Sequence, residues 1–281
     1  MIGHARARLA PFPRRWLLRV WGDPYVDARQ KWTTMWPYLA RLSKGSLRLL
    51  DAGCGEGTWA LELAARRPAW RITGVDHLES SLRVAELARR RLGLGNIVFE
   101  HHEFLGFRPV EGFDVVLSVA SAHYLLEQGR GEDLFRAFGA WLNPNGLLLL
   151  FGPRCRAEVP WSRWLPPPFE LHDVMSHEAI QSLCAAAGLD VEVIAPAIGV
   201  LGTLAEQIAR AAASSRVARL LTYPLQLALA ELDRVCASTD VQHPSSSWLL
   251  VARRPGGGHE QDVASPVAEP RYEGADSRVA P

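Results

Sequence analysis

Residues 47–57 read LRLLDAGCGEG: a short apolar run, an acid, then glycine at every second position. Leu47, Leu49 and Leu50 have the character of a strand buried in a sheet, and Asp51 stands where that strand would leave it. Gly53, Gly55 and Gly57 follow. Lacking a Cβ, they let the backbone turn tightly and lie flush against a ligand. Thr58 through Arg66 then reads as a helix. The spacing narrows the ligand. A dinucleotide fingerprint needs glycine at the first, third and sixth places, and the sixth place counted from Gly53 is Thr58. A phosphate loop needs Gly-Lys-Ser/Thr, and the stretch holds no lysine.

Working outward, strands and helices alternate. Upstream, Tyr25–Leu42 is amphipathic, with Trp32, Met35, Trp36 and Leu39 recurring at three- and four-residue steps. Downstream the pattern predicts strand Arg71–Asp76, helix Glu79–Leu92, strand Ile97–Phe99, strand Phe113–Val119 and helix Glu132–Leu142. A turn at Asn143-Pro144-Asn145-Gly146 then leads to strand Leu147–Phe151. Apolar strands alternating with helices predict an α/β fold, its mostly parallel sheet covered on both faces. Beyond Phe151 the alternation loosens. Residues 153–170 are rich in proline and tryptophan, unsuited to a helix or a central strand. Ser176 reads as the cap of a helix ending near Gly188, followed by strand Asp190–Ile194. A helical insert over about 200–238, kinked at Pro224, precedes a last strand Ser247–Val251. The domain organisation expected is therefore an N-terminal arm with covering helices (1–44), a ligand-binding domain (45–254) containing the cap segment 153–175 and the insert 196–246, and a glycine- and proline-rich tail (255–281) that reads as disordered.

The bulk composition sets limits. In 281 residues, 48% are hydrophobic and 22% charged, ordinary values for a globular core. Net charge is +1, so no basic surface argues for nucleic acid. The four cysteines, Cys54, Cys155, Cys184 and Cys236, have no paired spacing for zinc or a disulfide framework, which suits a reducing cytoplasm. Arg14-Arg15-Trp16 superficially suggests an export signal, but Trp21-Gly22-Asp23-Pro24 follows where an apolar stretch is required. The most apolar stretch, Val217–Ala230, is short for a membrane span and broken by Arg219, Pro224 and Gln226. A soluble chain is expected.

The loop at 51–57 resembles that of the class I S-adenosylmethionine (SAM) dependent methyltransferases, and the resemblance continues closely over about 45–152 and loosely over 176–194 and 247–253. It implies a three-layer, Rossmann-like, seven-stranded sheet ending in an antiparallel hairpin, with the helical insert between the hairpin strands. It implies SAM as cofactor and no metal. Asp51 would face the ammonium of the cofactor's methionine part, with Ala52 and the glycines along the loop. Asp76, about twenty residues beyond the loop at a strand end, would accept hydrogen bonds from ribose hydroxyls, with His77 beside it. Glu103 and Phe104 stand where the family more usually shows Asp-Ala near the adenine. Ser118 would pass under the cofactor.

His123 occupies a place where many small-molecule members carry a histidine. An imidazole there could take a proton from a hydroxyl or amine, or merely pack at the start of the next helix. Neither a Pro-Pro-aromatic run nor a cysteine follows the fourth strand, which sets aside the nucleic-acid amino- and C5-methylating relatives. Tyr25, Trp32, Trp36, Tyr124, Trp161 and Trp164 are candidates to cover the open end of the sheet and seat an apolar substrate, although a core stripe is the better reading for Trp32 and Trp36. The resulting expectation is methyl transfer to a small, partly apolar molecule, with oxygen, nitrogen or carbon as the accepting atom, as in specialised biosynthesis. Two alternatives stand beside it: a lipid-linked or macromolecular acceptor met at a membrane or partner surface, and a SAM-binding module without catalysis.

Overall fold

The structure, a computed structural model, describes residues 26–42, 45–153, 176–212, 215–237 and 245–256. Tyr25, Trp161 and Trp164, most of the cap segment, the N-terminal arm and the tail from 257 onward lie outside the described residues. The elements run α1 (Val26–Arg41), β1 (Leu47–Ala52), α2 (Thr58–Arg66), β2 (Trp70–Asp76), α3 (Glu79–Leu92), β3 (Ile97–His101), a short 3-10 turn (Phe104–Gly106), β4 (Phe113–Val119), α4 (His123–Glu127), α5 (Gly131–Trp141), β5 (Leu142–Pro153), α6 (His177–Ala186), β6 (Asp190–Gly199), α7 (Val200–Ala211), α8 (Arg216–Ala237) and β7 (Ser245–Arg253).

Seven strands form one sheet in the order β3-β2-β1-β4-β5-β7-β6. The pairs β1–β2, β2–β3, β1–β4 and β4–β5 are parallel, whereas β7 runs antiparallel to both β5 and β6. The strand order reverses between β1 and β4. Connections there leave toward opposite sides, and a crevice opens beyond the carboxyl ends of the two strands.

Both faces of the sheet are buried, as the uninterrupted apolar strands require. Successive side chains point to opposite faces. Leu49, Val115, Leu117 and Leu149 accordingly pack with Trp32, Met35 and Leu39 of α1 and Trp59 and Leu63 of α2. Their chain neighbours Leu50, Val116, Leu148 and Leu150 pack with Phe135, Phe138 and Trp141 of α5 and Ile180 and Cys184 of α6.

The α1 helix is fastened by aromatic rings. Trp32 stacks on Trp36 with centroids 4.9 Å apart and on Trp59 of α2 at 5.8 Å. The Arg66 guanidinium lies over both Trp32 and Trp36 and donates to Glu62 Oε1 at 2.8 Å. Trp32 thus belongs to the core stripe that its spacing suggested. Trp32 is 2% exposed within the core, with no surface left to close over a ligand, and Trp36 is half-buried against it.

Two further departures from the sequence reading have physical causes. Asn143-Pro144-Asn145-Gly146 does not separate helix from strand, because β5 begins at Leu142 and the segment is a bulge within it. Pairing with β4 shifts there, Asn145 takes a left-handed φ of 63°, and its N–H donates to Arg254 O at 2.8 Å. Strand β6 does not stop at Ile194 but continues past Pro196 to Gly199. It is an edge strand, where a missing N–H removes no second ladder bond. The insert between β6 and β7 consists of α7 and α8, over the span expected, and Pro224 lies within α8. Buried Asp233 of α8 ties the insert to the sheet by accepting from Gly199 N at 2.7 Å. Among the described residues no helix is long and apolar enough to cross a membrane.

Candidate functional site

The site forms where β1 and β4 part. Gly57, the residue before α2, has a φ of 73° and no side chain to satisfy the first amides of that helix. Asp51, from the end of β1, supplies the missing acceptor: its Oδ2 receives the Ala60 N–H at 3.2 Å, the place an N-cap oxygen would take. A negative charge there also suits the positive end of the helix. The other oxygen, Oδ1, is buried with no hydrogen-bond partner, and the whole residue is 0% exposed. Burial pushes the Asp51 carboxyl up to about 7. The Ala60 amide opposes that rise, and the nearby Asp76 charge adds to it.

Each glycine of the loop answers a different demand. At Gly53 (φ 76°) a Cβ would lie 2.3 Å from Ser121 Cβ, and at Gly57 it would lie 2.7 Å from the Phe99 ring. At Gly55 (φ 53°) nothing of the protein lies within 4 Å of that position, so the loop there faces open space. Asp76 closes the loop from below. Its Oδ2 accepts from Gly55 N at 2.7 Å and its Oδ1 from Leu78 N at 2.9 Å. The loop amides of Gly53 and Cys54 donate to Val75 O at 2.8 and 3.0 Å, which fixes β1 and β2 together at the rim. The Cys54 thiol sits under this turn, buried and pushed upward by desolvation and by the Asp51 and Asp76 charges.

Of the other residues singled out in the sequence, Phe104 is brought to the loop. Its ring edge lies 3.3 Å from the position of a Gly53 Cβ and packs on Phe138 and Trp141. Glu103 is exposed, and its backbone starts the short 3-10 turn. His77 is exposed, its Nδ1 3.5 Å from Asp76 Oδ1 and its carbonyl 2.8 Å from His101 Nε2.

Ser118 stands at the carboxyl end of β4. It is fully buried, and its Oγ lies 2.8 Å from Ser121 Oγ, which donates to Ala52 O at 3.0 Å. Ser118 thus props Ser121, and Ser121 bridges the ends of β4 and β1. Ser121 escaped the sequence reading because nothing in its neighbourhood along the chain announces that contact. Ala120 escaped it too, holding a φ of 55° that a non-glycine residue adopts only under constraint. Its amide donates to Phe151 O at 2.9 Å, so the strained residue locks the turn after β4 to β5. His123 opens α4 immediately beyond, 6% exposed, its ring 4.0 Å from that of Tyr124, which is 58% exposed.

These features can hold a ligand with a cationic donor at one end, for Asp51 Oδ1, and hydroxyls at the other, for Asp76. A carboxylate oxygen that accepts one hydrogen bond keeps capacity for another.

A family model described as a methyltransferase domain matches residues 49–146, the segment that carries the loop, both acids and β4. Trans-aconitate 2-methyltransferase of Escherichia coli is 31% identical over 117 residues, covering 42% of this chain and 40% of that protein. The chain thus spans less than half the length of the curated relatives it matches. Among solved structures, geranyl diphosphate C-methyltransferase from Streptomyces coelicolor superposes with a TM-score of 0.55 at 17% identity, covering 82% of each chain. The [4+2]-cyclase SpnF superposes with a TM-score of 0.52 at 24% identity, covering 76% of each chain. At these identities the two structures speak for the fold, which a methyltransferase and a cyclase share.

Proposed function

Given that the chain belongs to the class I S-adenosylmethionine-dependent methyltransferase family, we propose that it transfers a methyl group from SAM to a small, partly apolar acceptor. The observation that carries the reading is the pairing of a buried, unpartnered Asp51 Oδ1 with the open face of Gly55 on one loop. An orphaned carboxylate oxygen costs stability unless a ligand satisfies it. The residues fit the cofactor. Asp51 would accept from its ammonium and Asp76 from its ribose hydroxyls; the loop backbone would lie along its methionine part, and the Phe104 ring beside its base. Once bound, SAM supplies a methyl group on a positively charged sulfur, open to in-line displacement.

The protein's own task is then alignment, and orientation of this kind contributes about 7–11 kcal/mol of barrier reduction. Ser121 and Ala120 hold the turn after β4 at the rim of the crevice, and that turn delivers His123. In this reading His123 takes the proton from the acceptor's hydroxyl or amine as the bond to carbon forms. The small organic acceptor named for the Escherichia coli relative, trans-aconitate, supports the small-molecule class. The helices α1, α7 and α8, gathered at the carboxyl end of β6, suit a wall for such an acceptor.

Titration calorimetry tests the cofactor reading first. The wild-type chain should bind SAM and its demethylated product. Asp76→Ala removes the acceptor of both ribose hydroxyls and the anchor of Gly55 N, so it should lose about 1.5–3 kcal/mol of affinity, the size of hydrogen bonds to a charged group. Wild-type affinity in a folded Asp76→Ala variant would remove Asp76 from the site. Incubation of protein and SAM with pools of small organic acids, phenols, amines and isoprenoids, read by mass spectrometry for a gain of one methylene, tests the transfer itself.

A further inference from the structure

The end of β6 holds a second pair of unpartnered oxygens, apart from the loop that fits the cofactor. Asp233 of α8 is 2% exposed and Gln30 of α1 is 7% exposed. Asp233 Oδ2 accepts from Gly199 N at 2.7 Å, but Oδ1 is buried with no hydrogen-bond partner, and so is Gln30 Oε1. The two side chains meet over Gly202 of α7. A Cβ there would lie 2.2 Å from Gln30 Nε2 and 2.7 Å from Asp233 Oδ2, so the bare backbone at 202 is what lets them converge. Among the described residues no Lys or Arg forms an ion pair with Asp233.

The fold alone does not call for this arrangement. Fastening Gly199 N takes one neutral oxygen, which asparagine would supply without burying a charge. The positive end of α7 favours an acid nearby, yet it satisfies neither Asp233 Oδ1 nor Gln30 Oε1. Buried polar atoms without partners cost stability, and buried charges are paired. A ligand group that repairs both brings a positive charge and at least two donors to one compact point. A protonated amine does so, with its donors on a single nitrogen. A hydroxyl has one proton and no charge, and a carboxylate or phosphate would meet Asp233 with like sign.

Resting on the methyl-transfer reading, we propose that Asp233 and Gln30 anchor an alkylammonium group of the acceptor, at a distance from the atom that receives the methyl. Strands β5 and β6 both run antiparallel to β7, so β6 points the same way as β4 and β5. Its end at Gly199 therefore lies on the crevice side of the sheet. The order β4-β5-β7-β6 puts β6 three positions from β4, about 14 Å at the usual spacing of neighbouring strands. An ammonium has no lone pair with which to attack carbon, so the group held here is an anchor and another atom takes the methyl. The acceptor so defined is an elongated amine. Its cationic end rests at β6, its apolar middle spans the interval, and its nucleophilic atom reaches the turn after β4 that carries His123.

Calorimetric titration of the full chain with hexylamine, 1-hexanol and hexanoate, at about pH 7.5 where an alkylamine is protonated, reads the anchor directly. Hexylamine should bind at least about tenfold more tightly than the other two, the gain that hydrogen bonds to a charged group provide. Asp233→Asn keeps an oxygen for Gly199 N and should erase the preference for hexylamine while SAM affinity stays at the wild-type value. Gln30→Met removes Oε1 at similar size and should weaken hexylamine several-fold, again with SAM affinity unchanged. Hexylamine that binds no better than 1-hexanol overturns the proposal, and so does a preference that survives in folded Asp233→Asn. If Asp233→Asn does not fold, Gln30→Met decides, and unchanged hexylamine affinity in that variant overturns it. The amine is titrated into cofactor-free protein and SAM is titrated separately. Failure to bind SAM therefore refutes methyl transfer, whereas failure to prefer the amine refutes the anchor alone.

Discussion

Replacing Asp51 by asparagine should make the cofactor-free protein more stable while weakening its grip on the cofactor. Unfolded, this carboxyl titrates near 3.8; folded, burial carries it to about 7. Below pH about 4 it is protonated in both states and contributes nothing to the pH dependence. Between about 4 and 7 the native state keeps a proton that the unfolded chain has released, so stability falls as pH rises through that window. Above 7 the cost of holding the buried charge is fully present. Three units correspond to at most about 4 kcal/mol at 1.36 kcal/mol per unit, and relaxation around the charge leaves roughly 2–4 kcal/mol to recover. Asparagine keeps an oxygen for Ala60 N and sheds the charge. At pH 8.5 the variant should therefore melt roughly 5–15 °C above wild type, and at pH 4 the two should nearly coincide. Its affinity for SAM should fall by about 1.5–3 kcal/mol, because the ammonium loses a charged acceptor. Scanning fluorimetry from pH 4 to 9, with calorimetry at pH 8, measures both. An Asp51→Asn protein that melts below wild type at pH 8.5 would show that the buried carboxylate stabilises the empty fold, and the reasoning from desolvation would fail.

Three further expectations concern single residues. Gly53→Ala forces a Cβ to within 2.3 Å of Ser121 Cβ and should prevent the loop from closing, seen as a large fall in melting temperature. Gly55→Ala meets no protein atom, so it should cost only about 1–2 kcal/mol for its left-handed φ yet abolish cofactor binding; equal losses of stability in the two variants would contradict the open face at Gly55. His123→Ala should lower turnover by about 10²–10⁴ with SAM affinity unchanged, for an acceptor whose own pKa lies well above the assay pH. Near-normal turnover would leave alignment as the whole mechanism. Cys54 and Cys184 are buried with their thiols pushed upward, Cys184 to about 12, so neither should react with a thiol reagent at pH 8 until the protein unfolds. Rapid native labelling at either position, located by peptide mapping, would show that the site or the α6 packing opens readily.

The parts of the site that lie within one strand–turn–helix unit could be read from the chain. Asp51, the three glycines and Asp76 sit at strand ends, and strand ends follow from apolar runs and turn residues. What could not be read depends on contacts between distant segments. Ser121 reaches Ala52 O across 69 residues of sequence because β1 and β4 are neighbours in the sheet, and no local pattern encodes that adjacency. The same holds for Trp32. Its three- and four-residue spacing to Met35, Trp36 and Leu39 announced a buried helix face, but only the docking of α1 on α2 decides that the face meets core rather than ligand. The reach of β6 past Pro196 was hidden for a related reason. Proline ends a central strand and is tolerated at an edge, and edge position is a property of the whole sheet.

The ring stack that fastens α1 also makes the protein optically informative. Trp36, Trp32 and Trp59 form a near-parallel column, with interplanar angles of 18° and 11°, and a guanidinium lies over two of its members. Indole transitions held this close and this nearly aligned couple to one another, and they do so only while α1 rests on α2. The near-ultraviolet dichroism of the native chain therefore carries a component that belongs to one helix–helix contact. Release of α1 would extinguish that component while the amide signal of the sheet persisted. A single spectrum can in this way separate undocking of the N-terminal helix from unfolding of the domain, without any added label.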